Sequence, residues 1–366
     1  MLSQSNGLVQ LTVAQMVAQL SDAYSSLIKS SFPLYKFPSI MLWGPPGVGK
    51  SQGVRQIAAE IQQRTGKRVV VTDVRLLLFN PVDLRGIPTA NAEKTLAVWL
   101  RPKIFDMDAD ESVINILFLD EITAAPQSVQ AAAYQITLDR TVGEHKLPDN
   151  CIIIAAGNRV TDRSVAFNMP KALANRLCHI EIKGDAGSWH EWALQANVHP
   201  FVMGYLDYIS STLTLFDPVE DNLAFPTPRS WEMVSNILNS VSDNLTRVYP
   251  LIAGCIGTNT AGAFRTWCEI YQHIPPLDQI FEGKPCTPPD RPELLYATVA
   301  AMVDYARKSA TETELVHSID FACTMPMEFR FRLFHDYYRI RAVRQKLEKN
   351  SIFSQWVAFH EEENRV

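Results

Sequence analysis

The clearest chemistry in this chain lies in eight consecutive residues, Gly44-Pro45-Pro46-Gly47-Val48-Gly49-Lys50-Ser51. Glycines at this spacing let backbone N–H groups turn inward around phosphate oxygens, and the helix N-terminus behind them adds favourable partial charge. The lysine is expected to reach the outer phosphates, and the hydroxyl after it to serve as an oxygen ligand for Mg2+. The apolar run Ser39–Trp43 leads in and residues of helical period lead out, which is the setting a phosphate loop requires. Gln52 continues the cradle into the first turn of that helix.

A second run, Ile116-Leu117-Phe118-Leu119-Asp120-Glu121, is apolar and ends in two carboxylates. Paired acids at the end of a buried strand are costly unless they meet a cation. Asp120 is expected to hold Mg2+ through its water shell, and Glu121 to polarise an attacking water. Asn158 ends a further apolar run, Ala155-Ala156-Gly157. Its amide could donate to a phosphate or orient the water, or it could simply end the strand by turn chemistry. Arg176, after Pro170-Lys171-Ala172-Leu173-Ala174-Asn175, and Arg229, in Thr227-Pro228-Arg229-Ser230-Trp231, read on their own as surface arginines.

Five short β-rich runs carry these groups: Ser39–Trp43, Arg68–Asp73, Ile116–Asp120, Ile152–Ala156 and His179–Lys183. Helical stretches lie between several of them, with Val54, Ile57, Ala58 and Ile61, and again Val129, Ala132, Ala133 and Ile136, at i, i+3, i+4, i+7. Near-continuous apolar strands alternating with amphipathic helices predict an α/β domain, a five-stranded parallel sheet with helices on both faces. Ligands of such sheets bind outside the carboxyl ends of the strands, where the motifs sit. A helix over Leu11 to Lys29 is expected to precede the sheet. The predicted divisions are residues 1–184 for this core, 185–309 for an all-α second domain with proline-rich breaks, and 310–366 for a helical C-terminal extension. In the extension, Arg330, Arg332, Arg339, Arg341 and Arg344 suggest either a basic docking surface or a solvated helix face.

The 366 residues are 47% hydrophobic and 20% charged, the profile of a packed globular protein. A net charge of −5 lacks the basic signature of a nucleic-acid binder, so nucleic acid is not an expected partner. Six cysteines without a C-x-x-C pair read as small buried apolar residues. His145, His179, His190 and His199 share no metal-ligand spacing and read as structural or surface groups. No run approaches the roughly 18 apolar residues of a membrane helix, and no leader pattern opens the chain, so a cytoplasmic protein without a membrane partner is expected.

Phosphate loop, Asp-Glu strand, strand-end Asn, Arg before the last strand and Arg opening a later helix stand in the order of the AAA+ ATPases. The chain resembles that superfamily from about Leu11 to Ser309, and within it is similar to the MoxR family. Three stretches carry the finer likeness: residues 80–102 as a hairpin within helix 2, residues 140–148 as the hairpin before the sensor strand, and Met169 to Arg176 as the finger helix. The resemblance implies an ATP-binding P-loop core, an α-helical lid and ATP hydrolysis with Mg2+. Lys50 and Ser51 match Walker A, Asp120 and Glu121 match Walker B, and Asn158 is similar to sensor 1. Arg176 is similar to an arginine finger acting on the neighbouring subunit, Arg229 to sensor 2, and Arg163 is a second candidate for an intersubunit contact. A homo-oligomer, a hexameric ring, is implied, with chaperone-like work on a protein client and a partner carrying a von Willebrand factor A domain. Alternatives are a GTP-driven motor, a nucleic-acid-remodelling ATPase and a nucleotide-gated scaffold with little turnover.

Overall fold

A computed structural model of the chain describes residues 7–159, 169, 171–215, 222–240 and 245–363. The described residues fall into two compact units that part after Asp185.

The first unit runs β1 (Val9–Thr12), α1 (Val13–Lys29), β2 (Ile40–Trp43), α2 (Lys50–Thr65), β3 (Arg68–Arg75) and α3 (Pro81–Arg85). It continues through β4 (Ile87–Ala90), β5 (Ala97–Leu100), β6 (Val113–Asp120), α4 (Gln127–Asp139), β7 (Thr141–Val142) and β8 (His145–Lys146). It closes with β9 (Cys151–Gly157), α5 (Lys171–Ala174) and β10 (Cys178–Lys183). Six strands form one parallel sheet in the order β1-β10-β2-β9-β6-β3. β4–β5 and β7–β8 are separate antiparallel hairpins, within the 80–102 and 140–148 segments.

The sheet therefore has six strands where five were expected. The extra one, β1, takes Leu11 and Thr12 out of the expected helix and pairs Val9 with Ile180. It is an edge strand of four residues, of which only Leu11 is buried, so it shows no apolar run. The helix begins instead where Thr12 caps it: the Thr12 side chain accepts from the Gln15 N–H, and the Gln15 side chain accepts from the Thr12 N–H.

Alternation along the strands splits the core in two. Ile40, Leu42, Ile116, Phe118 and Ile154 face Met16, Ile57 and Ile61 of α1 and α2. Met41, Leu117, Leu119 and Ile153 face Val129, Ala133 and Ile136 of α4 on the other side. β9 is buried throughout and β6 at every position but its last, Asp120, which places the polar groups at the carboxyl edge.

The second unit is helical: α6 (Ala186–Gln195), α7 (Pro200–Tyr208), α8 (Pro228–Ser240), α9 (Leu245–Ile256), α10 (Thr258–Tyr271) and α11 (Leu277–Phe281). Then follow α12 (Pro292–Lys308), α13 (Glu312–Ala322), α14 (Met327–Arg339), α15 (Arg341–Leu347) and α16 (Ser351–Glu363). Tyr205, Trp231 and Phe264 pack at centroid distances of 5.3 to 5.5 Å in its centre. The boundary expected at 309/310 does not separate two cores, because Leu315, Leu333, Tyr337 and Phe353 lie in the same apolar cluster as Trp231 and Leu295.

A buried ionic cluster joins these helices. His190 on α6 lies 2.9 Å from Asp207 on α7 and 2.8 Å from Asp336 on α14. Burial alone would push the imidazole down, but Asp336 and Asp207 outweigh it and lift His190 to about 10. Burial likewise opposes the Asp336 carboxylate, yet His190 holds it well below the usual range. Arg332 pairs with Asp207, His335 with Glu191 at 3.0 Å, and Arg339 with Glu191 at 2.8 Å. Arg344 lies 3.4 Å from Glu361. Arg332 is therefore committed to a buried carboxylate, whereas Arg339, Arg341 and Arg344 stay part exposed, as the solvated helix face expected there requires.

Candidate nucleotide site

The phosphate loop leaves β2 after Trp43 and enters α2 at Lys50. Gly49 has φ +105°, a region that side-chain-bearing residues rarely adopt, and a Cβ on Gly44 would stand 2.7 Å from the Ile182 carbonyl oxygen. Glycine at both places is what lets the loop fold back over the sheet edge. Beneath it Lys50 is buried, and its ammonium donates to Gly44 O at 2.6 Å, Pro45 O at 3.0 Å and Asn158 Oδ1 at 3.0 Å. Three donors meet three acceptors, so a buried charge is satisfied.

Ser51, one residue on, donates to Asp120 Oδ2 at 2.8 Å. A hydroxyl and a carboxylate side by side are the hard oxygen donors that suit Mg2+, which keeps several waters and takes few protein ligands. Among the described residues no group of three or more His, Cys, Asp or Glu side chains is placed to hold a metal ion.

Glu121 follows Asp120 with φ +58°, the left-handed region, which costs a residue with a side chain about 1–3 kcal/mol. The turn is held from both sides. Asp120 Oδ1 accepts the Glu121 N–H at 2.9 Å, and the Ile122 N–H donates to Ala156 O at 3.0 Å. Thr123 then reaches across to β9: its Oγ1 accepts from the Asn158 N–H and donates to Asn158 O, each at 3.1 Å. Gly157 is glycine because Thr123 fills its side-chain space, 2.7 Å from where a Cβ would stand. Lys50, Ser51, Asp120 and Asn158 are thus brought together by direct contacts, with Glu121 in the turn between Asp120 and Thr123.

Arg176 is placed elsewhere. It is exposed, in the turn between α5 and β10. β10 begins at Cys178, the partner of Ile40, whereas the phosphate loop follows Trp43, the partner of Glu181. Arg176 therefore leaves the sheet at the end opposite its own phosphate loop, roughly 10 Å of strand away at about 3.3 Å per residue. Arg229 is the second residue of α8 in the helical unit, exposed, on a first turn where Thr227 and Ser230 cap each other at 2.7 and 3.1 Å. Arg163 and most of the stretch from 160 to 170 lie outside the described residues.

Residues 40–182 match the family model "ATPase family associated with various cellular activities (AAA)". This is the P-loop AAA+ fold. No curated protein matches the chain. Among solved structures, the chain is similar to PCH-2 of C. elegans, at 13% identity over 92% of this chain and 68% of that one, with a TM-score of 0.34. It is also similar to a RuvB mutant of Thermotoga maritima, at 13% identity over 84% of this chain and 90% of that one, with a TM-score of 0.36.

Five residues of the site escape a motif reading. Thr123 acts through a contact 35 positions away. Arg159, next to Asn158, forms an ion pair with the buried Glu181. Trp43 donates to His179 across β2 and β10 at 2.9 Å. The one sequence signal among them is Glu181 itself, a carboxylate between Ile180 and Ile182 in a strand otherwise apolar at its centre.

Proposed function

We propose that the chain binds ATP with Mg2+ in the cradle of Gly44 to Gln52 and hydrolyses it with Glu121 as the base that polarises the attacking water. The observation that supports this best is the linked set Ser51–Asp120 and Lys50–Asn158–Thr123, with the Glu121 turn between them. Lys50 would exchange its loop carbonyls for phosphate oxygens. Ser51 and Asp120 would hold the metal, which supplies charge neutralisation along the phosphates. Asn158, already in contact with Lys50, would report whether the outer phosphate is present. Arg229 would report it to the helical unit as sensor 2.

Because Arg176 lies at the far end of the sheet, it serves a nucleotide held by another copy. The assembly is then a homo-oligomeric ring, a hexamer, whose cycle drives chaperone-like remodelling of a protein client in the cytoplasm. A MoxR-like role with a partner carrying a von Willebrand factor A domain completes the proposal. No helix among the described residues is long and apolar enough to cross a membrane.

The test is nucleotide trapping. Glu121→Gln should bind labelled ATP as the parent does and leave it intact, while the parent releases ADP and phosphate. Equal turnover by the two proteins would remove Glu121 from the mechanism.

A further inference from the structure

We infer that His179 is the positioning residue for Arg176, and that Trp43, at the mouth of the phosphate loop, sets it. This rests on the reading of Arg176 as a group that acts on a neighbour's nucleotide. The indole N–H of Trp43 can only donate, so His179 Nδ1, 2.9 Å away, accepts and carries no proton. The proton of the neutral ring is then on Nε2, which donates to the Ala174 carbonyl at 2.7 Å. The rings of Trp43 and His179 also stack, at a centroid distance of 5.9 Å. The imidazole is a clamp with a defined tautomer between the last residue of β2 and the last residue of α5.

Ala174 stands two residues before Arg176, and its carbonyl also accepts the Leu177 N–H at 3.2 Å. The hydrogen bond from His179 and the turn that carries Arg176 share one acceptor. A helix of four residues is too short to hold itself, so this outside bond sets where the turn sits.

At the other end the clamp reaches the nucleotide cradle by two routes. Trp43 precedes Gly44, whose carbonyl holds the Lys50 ammonium at 2.6 Å. Glu181, on the same face of β10 as His179, pairs with Arg159, the residue after Asn158, and the Asn158 side chain is also held by Lys50. When phosphate draws Lys50 away from Gly44 and Asn158, the residues beside both released groups bear on one face of β10. That face delivers the change to Arg176 at its far end. Each copy thus presents its arginine to the neighbour according to what its own loop holds.

Mixed subunits test this. Arg176→Ala subunits keep the base and lack the arginine, whereas Glu121→Gln subunits keep the arginine and lack the base. Their mixture should regain ATP turnover. A second mixture replaces the Glu121→Gln subunits with ones that also carry His179→Phe, which keeps a ring and loses both hydrogen bonds. Its regained turnover should be at least about tenfold lower, with ATP binding by the His179→Phe subunits unchanged. His179→Gln, able to accept from Trp43 and donate to Ala174, should restore it. Should His179→Phe not fold, Trp43→Phe removes the indole N–H and should give the same loss in the same mixture. Equal turnover in the two mixtures overturns the role of His179 and leaves the trans-acting Arg176 standing. No turnover in the first mixture overturns the trans reading, and the inference with it.

Discussion

Thr123 Oγ1 lies 3.1 Å from both the backbone nitrogen and the backbone oxygen of Asn158, and so fixes that residue through its main chain. The Asn158 side chain is left to Lys50. Thr123→Val keeps the shape and removes both hydrogen bonds, leaving two polar main-chain groups to find other partners. Turnover should fall roughly tenfold to a hundredfold with ATP affinity little changed, and Thr123→Ser should recover most of it. Steady-state kinetics beside a direct binding measurement would show this, and a loss of affinity equal to the loss of rate would contradict it.

Lys50→Ala should abolish ATP binding, because the ammonium is buried under the loop and bonded to it before any nucleotide arrives. Asp120→Asn should instead weaken binding only when Mg2+ is present, since Asp120 faces Ser51 rather than the loop carbonyls. Titrations with and without Mg2+ separate the two.

Glu121 sits at φ +58°. Glu121→Gly should relieve that strain and stabilise the first unit by about 1 kcal/mol while abolishing turnover. Chemical denaturation measures the first effect. A destabilised Glu121→Gly protein would mean that the Glu121 side chain has packing partners that outweigh the backbone.

In the helical unit the ionic cluster predicts a sign for the pH dependence of stability. His190 is lifted from 6.5 to about 10, so its contribution is complete below pH 6.5 and is lost as the pH climbs through about 10. His335, held up to about 9 by its hydrogen bonds to Asp336 and Glu191, has the same sign. Asp336 is lowered from 3.8, so its contribution is present above that value and lost as the solution is acidified. Stability of this unit should peak between these windows and decline from pH 6.5 toward 9. His190→Gln should flatten the decline, as thermal melts across that range would show.

Truncation after Ser309 should leave no cooperatively folded helical unit. It removes Leu315, Leu333, Tyr337 and Phe353 from a shared core and strips His190 of Asp336. A sharp unfolding transition in the truncated protein would reinstate a boundary at that point.

What could be read from the sequence followed the physics of each element. β9 and the Ile116–Leu119 part of β6 are buried on both faces and so appear as apolar runs, while β1 offers one buried residue in four and gains its place only by pairing with β10. The phosphate loop was legible because its spacing is itself the mechanism. Thr123, Arg159 and His179 were not, since each acts through a partner distant in the chain. Arg332 and Arg339 read as a basic stretch because their acids, Asp207 and Glu191, lie more than a hundred residues upstream.

Hydrolysis at a site completed by a second copy is read out by ATP turnover per subunit across a protein concentration series with mass measured alongside. Turnover should rise as the mass shifts from a single chain to a ring. Turnover per subunit that stays constant while the ring forms, or that is full in the single chain, would contradict it.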